Sequence, residues 1–138
     1  MNVYVFEELK EGLEESILKK ISEEDVQNFA KLSGDLNPLH TDENYAQTTK
    51  MGKKVVYGLL VQSYISNLVG MKLPGKFALI LSISSKFKKP VFEGDSLKII
   101  GKIVKKIPAT KIIIVGTKIT NQHNQIVLEG EVQVKLLS

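Results

Sequence analysis

The sequence predicts an α+β fold that combines an antiparallel sheet with one long, largely apolar helix. Two observations carry this. The second half of the chain holds four runs rich in Ile, Val and Leu, at residues 77–87, 96–106, 111–120 and 126–136, separated by turn signals at Pro90/Gly94-Asp95, Pro108-Ala109 and 121–124. Ahead of them, residues 58–70 and the adjoining Met71 place Leu59, Leu60, Tyr64, Leu68 and Met71 on one broad helical face, with Val61, Ile65 and Val69 filling much of the rest. A helix that is apolar on most sides needs something to enclose it, and the four runs supply the surface. Strands that follow one another closely favour antiparallel pairing. In the last run Val127, Glu129, Glu131, Gln133 and Lys135 alternate with Leu128, Gly130, Val132, Val134 and Leu136, so one face meets a core and the other water or a partner.

The elements before the long helix follow in order. Residues 2–6 alternate loosely and read as a short strand or an extended lead-in, and residues 13–21 read as extended. Ser22 is a good helix N-cap with Asp25 at the third helical position, a near capping box, and Glu23, Glu24 and Asp25 put negative charge at the positive end of the helix dipole. Val26, Phe29, Ala30 and Ser33 recur at helical spacing and face inward. Gly34 suits a left-handed helix end. Residues 33–40 then read as neither regular helix nor strand, because Pro38 lacks an N–H and pushes Asn37 out of the α region. Asp42, Glu43 and Asn44 open a short helix reaching about Gln47, and residues 48–54 form a polar connection.

With 138 residues, 43% of them hydrophobic and 25% charged, the chain reads as a single globular domain, 1–138, able to bury a core without disulfides. The absence of cysteine excludes thiolate chemistry and the usual structural zinc sites, and His40 and His123 show no metal-ligand spacing, so no metal site is assigned. The formal charge is +4, and every one of the nineteen basic residues is lysine, scattered in ones and twos. Without arginine there is no bidentate fork for guanine edges, so nucleic acid is not an expected partner. A modest positive field suits a phosphate-bearing carrier such as coenzyme A or an acyl carrier protein, although lysines also simply keep a surface soluble. No apolar run is long enough to span a membrane, and residues 1–8 lack the pattern of a signal peptide, so a cytoplasmic protein is expected.

The chemistry concentrates in Ser33-Gly34-Asp35-Leu36-Asn37-Pro38-Leu39-His40. Asp35 and His40 can both point away from this turning backbone into one small volume. A carboxylate beside an imidazole can hold a water molecule, take one proton from it and deliver another. The same residue types also make an ordinary polar turn. A second stretch, Val55-Val56-Tyr57-Gly58, leads into the long helix. The first N–H groups of a helix lack internal partners, and Gly58 has no Cβ to block an oxygen that gains negative charge there. Gly58 equally allows close packing. Met51, Met71 and the apolar aromatics read as core or pocket lining, and His123 as a solvated loop residue.

Gly34-Asp35-x-Asn37-Pro38-Leu39-His40, continuing into Thr41-Asp42 and Ala46, resembles the signature of the MaoC-like (R)-specific enoyl-CoA hydratases. Phe87-x-x-Pro90-Val91-x-x-Gly94-Asp95 resembles a second run of that family, read here as a strand end and a turn. The resemblance implies the hot-dog fold, a curved antiparallel sheet wrapped around a long central helix. It implies reversible hydration of a trans-2-enoyl thioester to an (R)-3-hydroxyacyl thioester. In that reading Asp35 and His40 hold the water, Asn37 fixes the loop or the dyad, the Gly58 N–H binds the enolate oxygen, and Ser66 in the long helix orients the site, with Ser63 an alternative. Tyr57 departs from the family, which more often has histidine there. The resemblance requires no metal or redox cofactor, coenzyme A being part of the substrate, and it implies a homodimer, or a higher assembly, joined sheet edge to sheet edge. A 3-hydroxyacyl-[acyl-carrier-protein] dehydratase would use the same chemistry in reverse. A hot-dog thioesterase is disfavoured by the intact Asp-x-Asn-Pro-x-His order, and a non-catalytic acyl-binding protein by the presence of both Asp35 and His40.

Overall fold

The computed structural model describes residues 1–138. The lead-in makes one isolated bridge, Val3 to Gly75, rather than a strand, and passes through a 3-10 turn, Phe6–Glu8, into strand β1, Glu14–Lys20. Helix α1, Glu23–Ser33, begins with a complete capping box: the Ser22 hydroxyl accepts from the Asp25 N–H and the Asp25 carboxylate accepts from the Ser22 N–H, both at 3.0 Å. Partial burial raises the Asp25 pKa. The Ser22 bonds and the Lys19 ammonium 3.1 Å away outweigh it and hold the carboxyl below its ordinary value. Gly34 ends α1 at φ 76°, a conformation that costs glycine little.

Two short helices follow, α2, Pro38–Thr41, and α3, Glu43–Gln47, and then α4, Gly58–Met71. The single turn α2 corrects the expectation that 33–40 is wholly irregular. Proline is well placed at the first helical position, where its missing N–H would have had no partner.

Strands β2, Ala78–Phe87, β3, Ser96–Ile107, β4, Ile112–Thr120, and β5, Ile126–Leu136, complete one antiparallel sheet in the order β1-β3-β4-β5-β2. Register shifts at Ile80/Ser82, Ile103/Lys105 and Ile119/Thr120 add local twist, the means by which a five-stranded sheet curves around a helix. The inner face (Leu97, Ile99, Ile103, Ile113, Val115, Ile119, Leu128, Val132) packs in one core with Leu60, Val61, Ile65, Leu68 and Val69 of α4. Each fully buried Leu or Ile there contributes about 1.5–3 kcal/mol. Gly101 lets the helix come close: a Cβ on it would stand 2.7 Å from Leu68 Cδ2. This is the hot-dog arrangement.

Four burial expectations are corrected. Helix α4 is buried on one face only; Leu59, Ser63, Ser66 and Met71 lie on its exposed side, and Leu59 is 64% exposed. Met51 and Met71 are both exposed rather than core or pocket residues. Val127, assigned by alternation to the polar face of β5, is buried because the chain at 88–91 folds over it, with the Lys88 N–H bonded to its carbonyl at 2.8 Å. Ser33 also faces solvent, its hydroxyl donating to the Phe29 carbonyl at 2.7 Å.

Candidate active site

The loop after α1 is built from three side chains that each accept a backbone N–H two residues ahead: Ser33 from Asp35 at 3.1 Å, Asp35 from Asn37 at 3.0 Å, and Asn37 from Leu39 at 2.9 Å. These are side-chain turns, which Ser, Asp and Asn form because their short polar arms reach the local backbone. Asn37 is thereby the N-cap of α2, and the Thr41 hydroxyl closes that turn onto the Asn37 carbonyl at 3.2 Å. The Asn37 side chain therefore holds the local turn from which His40 follows.

Helix α2 carries His40 back toward the body of the protein. Its Nδ1 lies 2.6 Å from the Val55 carbonyl oxygen. A carbonyl can only accept, so Nδ1 holds the proton in the neutral ring and Nε2 presents a lone pair. The Tyr57 ring stacks on the imidazole at 4.1 Å between centroids, and Phe29 backs Tyr57 at 4.9 Å. The Tyr57 hydroxyl donates to the backbone carbonyl of Asp35. Burial, and then the nearby Asp35 charge, push the Tyr57 pKa up, so the phenol stays a neutral donor. Tyr57 is only 2% exposed and touches both proposed dyad positions. The sequence marks Tyr57 only as a departure from the family's more usual histidine. The signal available was its place between an extended Val-Val pair and a helix start.

His40 and Gly58 line one cavity of about 250 Å³, together with Val55, Val56, Val61, Phe87, Pro90 and Val91 among others. Its wall is largely apolar, as an acyl chain requires. Gly58 is the first residue of α4, so its N–H has no partner within the helix and lies at the positive end of the helix dipole. Gly58 also permits close packing: a Cβ there would meet the Phe87 ring at 3.1 Å.

Asp35 is exposed, and it is not among the residues lining the His40 cavity. One carboxylate oxygen is turned to the Asn37 N–H. The other oxygen is uncommitted, and the residue joins the site through Tyr57. Ser66 is also apart. Eight residues beyond Gly58 it stands about 12 Å along the helix axis, on the exposed side of α4. Ser63, the alternative, is bonded back to the Leu60 carbonyl at 2.6 Å.

Known proteins share this architecture and sequence. A MaoC-like domain model matches residues 5–125. An (R)-specific enoyl-CoA hydratase of Rhodospirillum rubrum is 39% identical over 132 residues, which is 96% of this chain and 91% of the relative. A 3-hydroxybutyryl-CoA dehydratase of Methylorubrum extorquens is 34% identical over 136 residues, 99% of this chain and 86% of the relative. The solved (R)-hydratase from Aeromonas caviae, described as involved in PHA biosynthesis, superposes with a TM-score of 0.90 at 36% identity, covering 94% of this chain and 98% of that one. The match over most of the chain, the shared hot-dog fold and relatives that are hydratases and dehydratases place this protein in the MaoC-like domain family, a family of hydro-lyases.

Proposed function

We propose that this protein is an (R)-specific enoyl-CoA hydratase, adding water reversibly and syn across the double bond of a trans-2-enoyl-CoA. The supporting observation is the site's polarity. An imidazole with Nδ1 committed to Val55 leaves Nε2 free in an apolar cavity whose other wall holds the N-terminus of α4. Asp35 and His40 hold the water between them once the uncommitted Asp35 oxygen turns toward the cavity. The pair removes one proton as the water oxygen bonds to the β-carbon and returns one to the α-carbon, so one water is added in all. The Gly58 N–H stabilises the enolate oxygen that forms meanwhile, a contact of the kind that can supply several kcal/mol. Coenzyme A enters as part of the substrate, no metal or redox cofactor takes part, and the enzyme works in the cytoplasm.

The enzyme is read as a homodimer. Strand β2 pairs only with β5, and its free edge exposes Leu79, Leu81 and Ile83. Unpaired apolar edges of this kind are normally covered. Gln62 bonds Ser85 at 3.1 Å, which sets α4 beside β2, so a second copy paired along that edge would also cover the side of α4 bearing Leu59 and Ser66. Sedimentation velocity is expected to give twice the chain mass of 15.4 kDa, and a single monomeric species would refute the assembly.

The deciding assay follows loss of conjugated enoyl absorbance from crotonyl-CoA. The native enzyme is expected to yield the (R)-3-hydroxy product. Asp35→Asn should lower kcat by roughly 10³-fold or more, since it removes a proton carrier from the transition state. Undiminished turnover in folded Asp35→Asn would sink the dyad.

A further inference from the structure

A second recess, of about 370 Å³, opens beside the catalytic cavity and shares Lys89 and Pro90 with it. Five lysines lie on the two loops around these openings; Lys50 lines neither opening, and the other four are not equivalent. Lys54 is paired with Glu93 at 3.4 Å and Lys88 with Glu129 at 3.3 Å. Lys53 and Lys89, the two that line the recess, have no carboxylate within 4.0 Å. The recess also holds His123 and a single carboxylate, Asp95. Both Asp95 oxygens are already engaged, one by the Phe92 N–H at 2.9 Å and the other by the Gln122 amide at 2.9 Å. Lys53 is steadied by the Phe92 ring, with its ammonium 4.2 Å from the ring centroid. The recess therefore offers unneutralised, partly preorganised positive charge continuous with the acyl cavity.

We propose that this recess binds the phosphate groups of coenzyme A, with Lys53 and Lys89 as the anion contacts. The inference rests on the hydratase reading for its ligand. Lysine meets a phosphate as a point charge and needs no fixed fork, which suits a chain without arginine. The pantetheine arm, a chain of single bonds, links thioester to phosphates and can bend from one opening into the next.

The test compares crotonyl-CoA with crotonyl-pantetheine, which has the same reacting end and no phosphate. Lys53→Ala should raise KM for crotonyl-CoA about fivefold more than KM for crotonyl-pantetheine, and Lys53→Glu roughly twentyfold more. Lys10→Ala, which removes an exposed lysine outside both openings, controls for net charge. Adenosine 3′,5′-bisphosphate should compete with crotonyl-CoA in the native enzyme and at least about tenfold more weakly in Lys53→Glu/Lys89→Glu. Equal KM changes for both substrates, or unchanged competition in the double variant, would overturn the proposal. If the native protein hydrates neither substrate, the hydratase reading fails by itself. Calorimetric titration with adenosine 3′,5′-bisphosphate then decides the recess: binding that the double variant loses supports it, and no binding overturns it.

Discussion

The two halves of the site are held in opposite ways. The His40 side chain is anchored by distant partners: Val55 lies fifteen residues away and the Tyr57 ring that stacks on it seventeen. The Asp35 half is a ladder of bonds each spanning two residues, exposed to solvent, with Leu36 beside it 69% exposed. One half is set by the core, the other mainly by its own local chemistry, with the Tyr57 hydroxyl its one long-range tie. The contrast is between an imidazole position fixed by long-range packing and a carboxylate position fixed by short-range hydrogen bonds.

Tyr57 is where the halves meet, and removing it should break the contrast most severely. Tyr57→Ala empties a buried aromatic site and is expected to cost about 3–5 kcal/mol in urea unfolding. Tyr57→Phe keeps the stack on His40 and loses only the bond to the Asp35 carbonyl, which costs about 1 kcal/mol. Its sharper effect should be kinetic, a drop in kcat with KM for crotonyl-CoA nearly preserved. If the two variants were equally stable, Tyr57 would not be the shared support.

On the exposed half the losses should be smaller. Asn37→Ala removes the cap of α2 and should lower stability by about 1 kcal/mol or less, while reducing kcat through a looser His40. A stability loss as large as that of Tyr57→Ala would show that the loop is part of the core after all. Thermal unfolding alongside turnover measures both.

The smallest expected effect lies away from the site and tests whether buried phenols here are tolerated only as neutral groups. Burial and the Asp25 charge push the Tyr64 pKa up to about 12, and its hydroxyl has no hydrogen-bond partner. A raised pKa favours the protonated fold, so this contribution is complete below about pH 10 and is lost as pH climbs toward 12. Tyr64→Phe should match or slightly exceed the native stability at neutral pH and lose less of it between those limits. Denaturation at several alkaline pH values would reveal the converging or diverging curves.

Much of this was legible before any coordinates. The spacing of Ser33, Asp35 and Asn37 encodes the loop, because a bond to the backbone two residues ahead requires only the right short side chain at alternate positions. Ser22 with Asp25 encodes the start of α1, and alternation encodes the strands, since both are local patterns. The one-turn α2 escaped because proline signals both a helix start and a break, and four residues carry no periodicity to choose between them. What the chain's order alone determined was therefore α1, the long helix, the strand runs and the turn that follows α1. Only the tertiary structure decided that Tyr57 would support both halves, that Nδ1 rather than Nε2 of His40 would be committed, and that Lys53 and Lys89 would stay unpaired while their neighbours found glutamates. Those outcomes depend on which distant residues meet, and contacts between remote segments leave no local pattern to read.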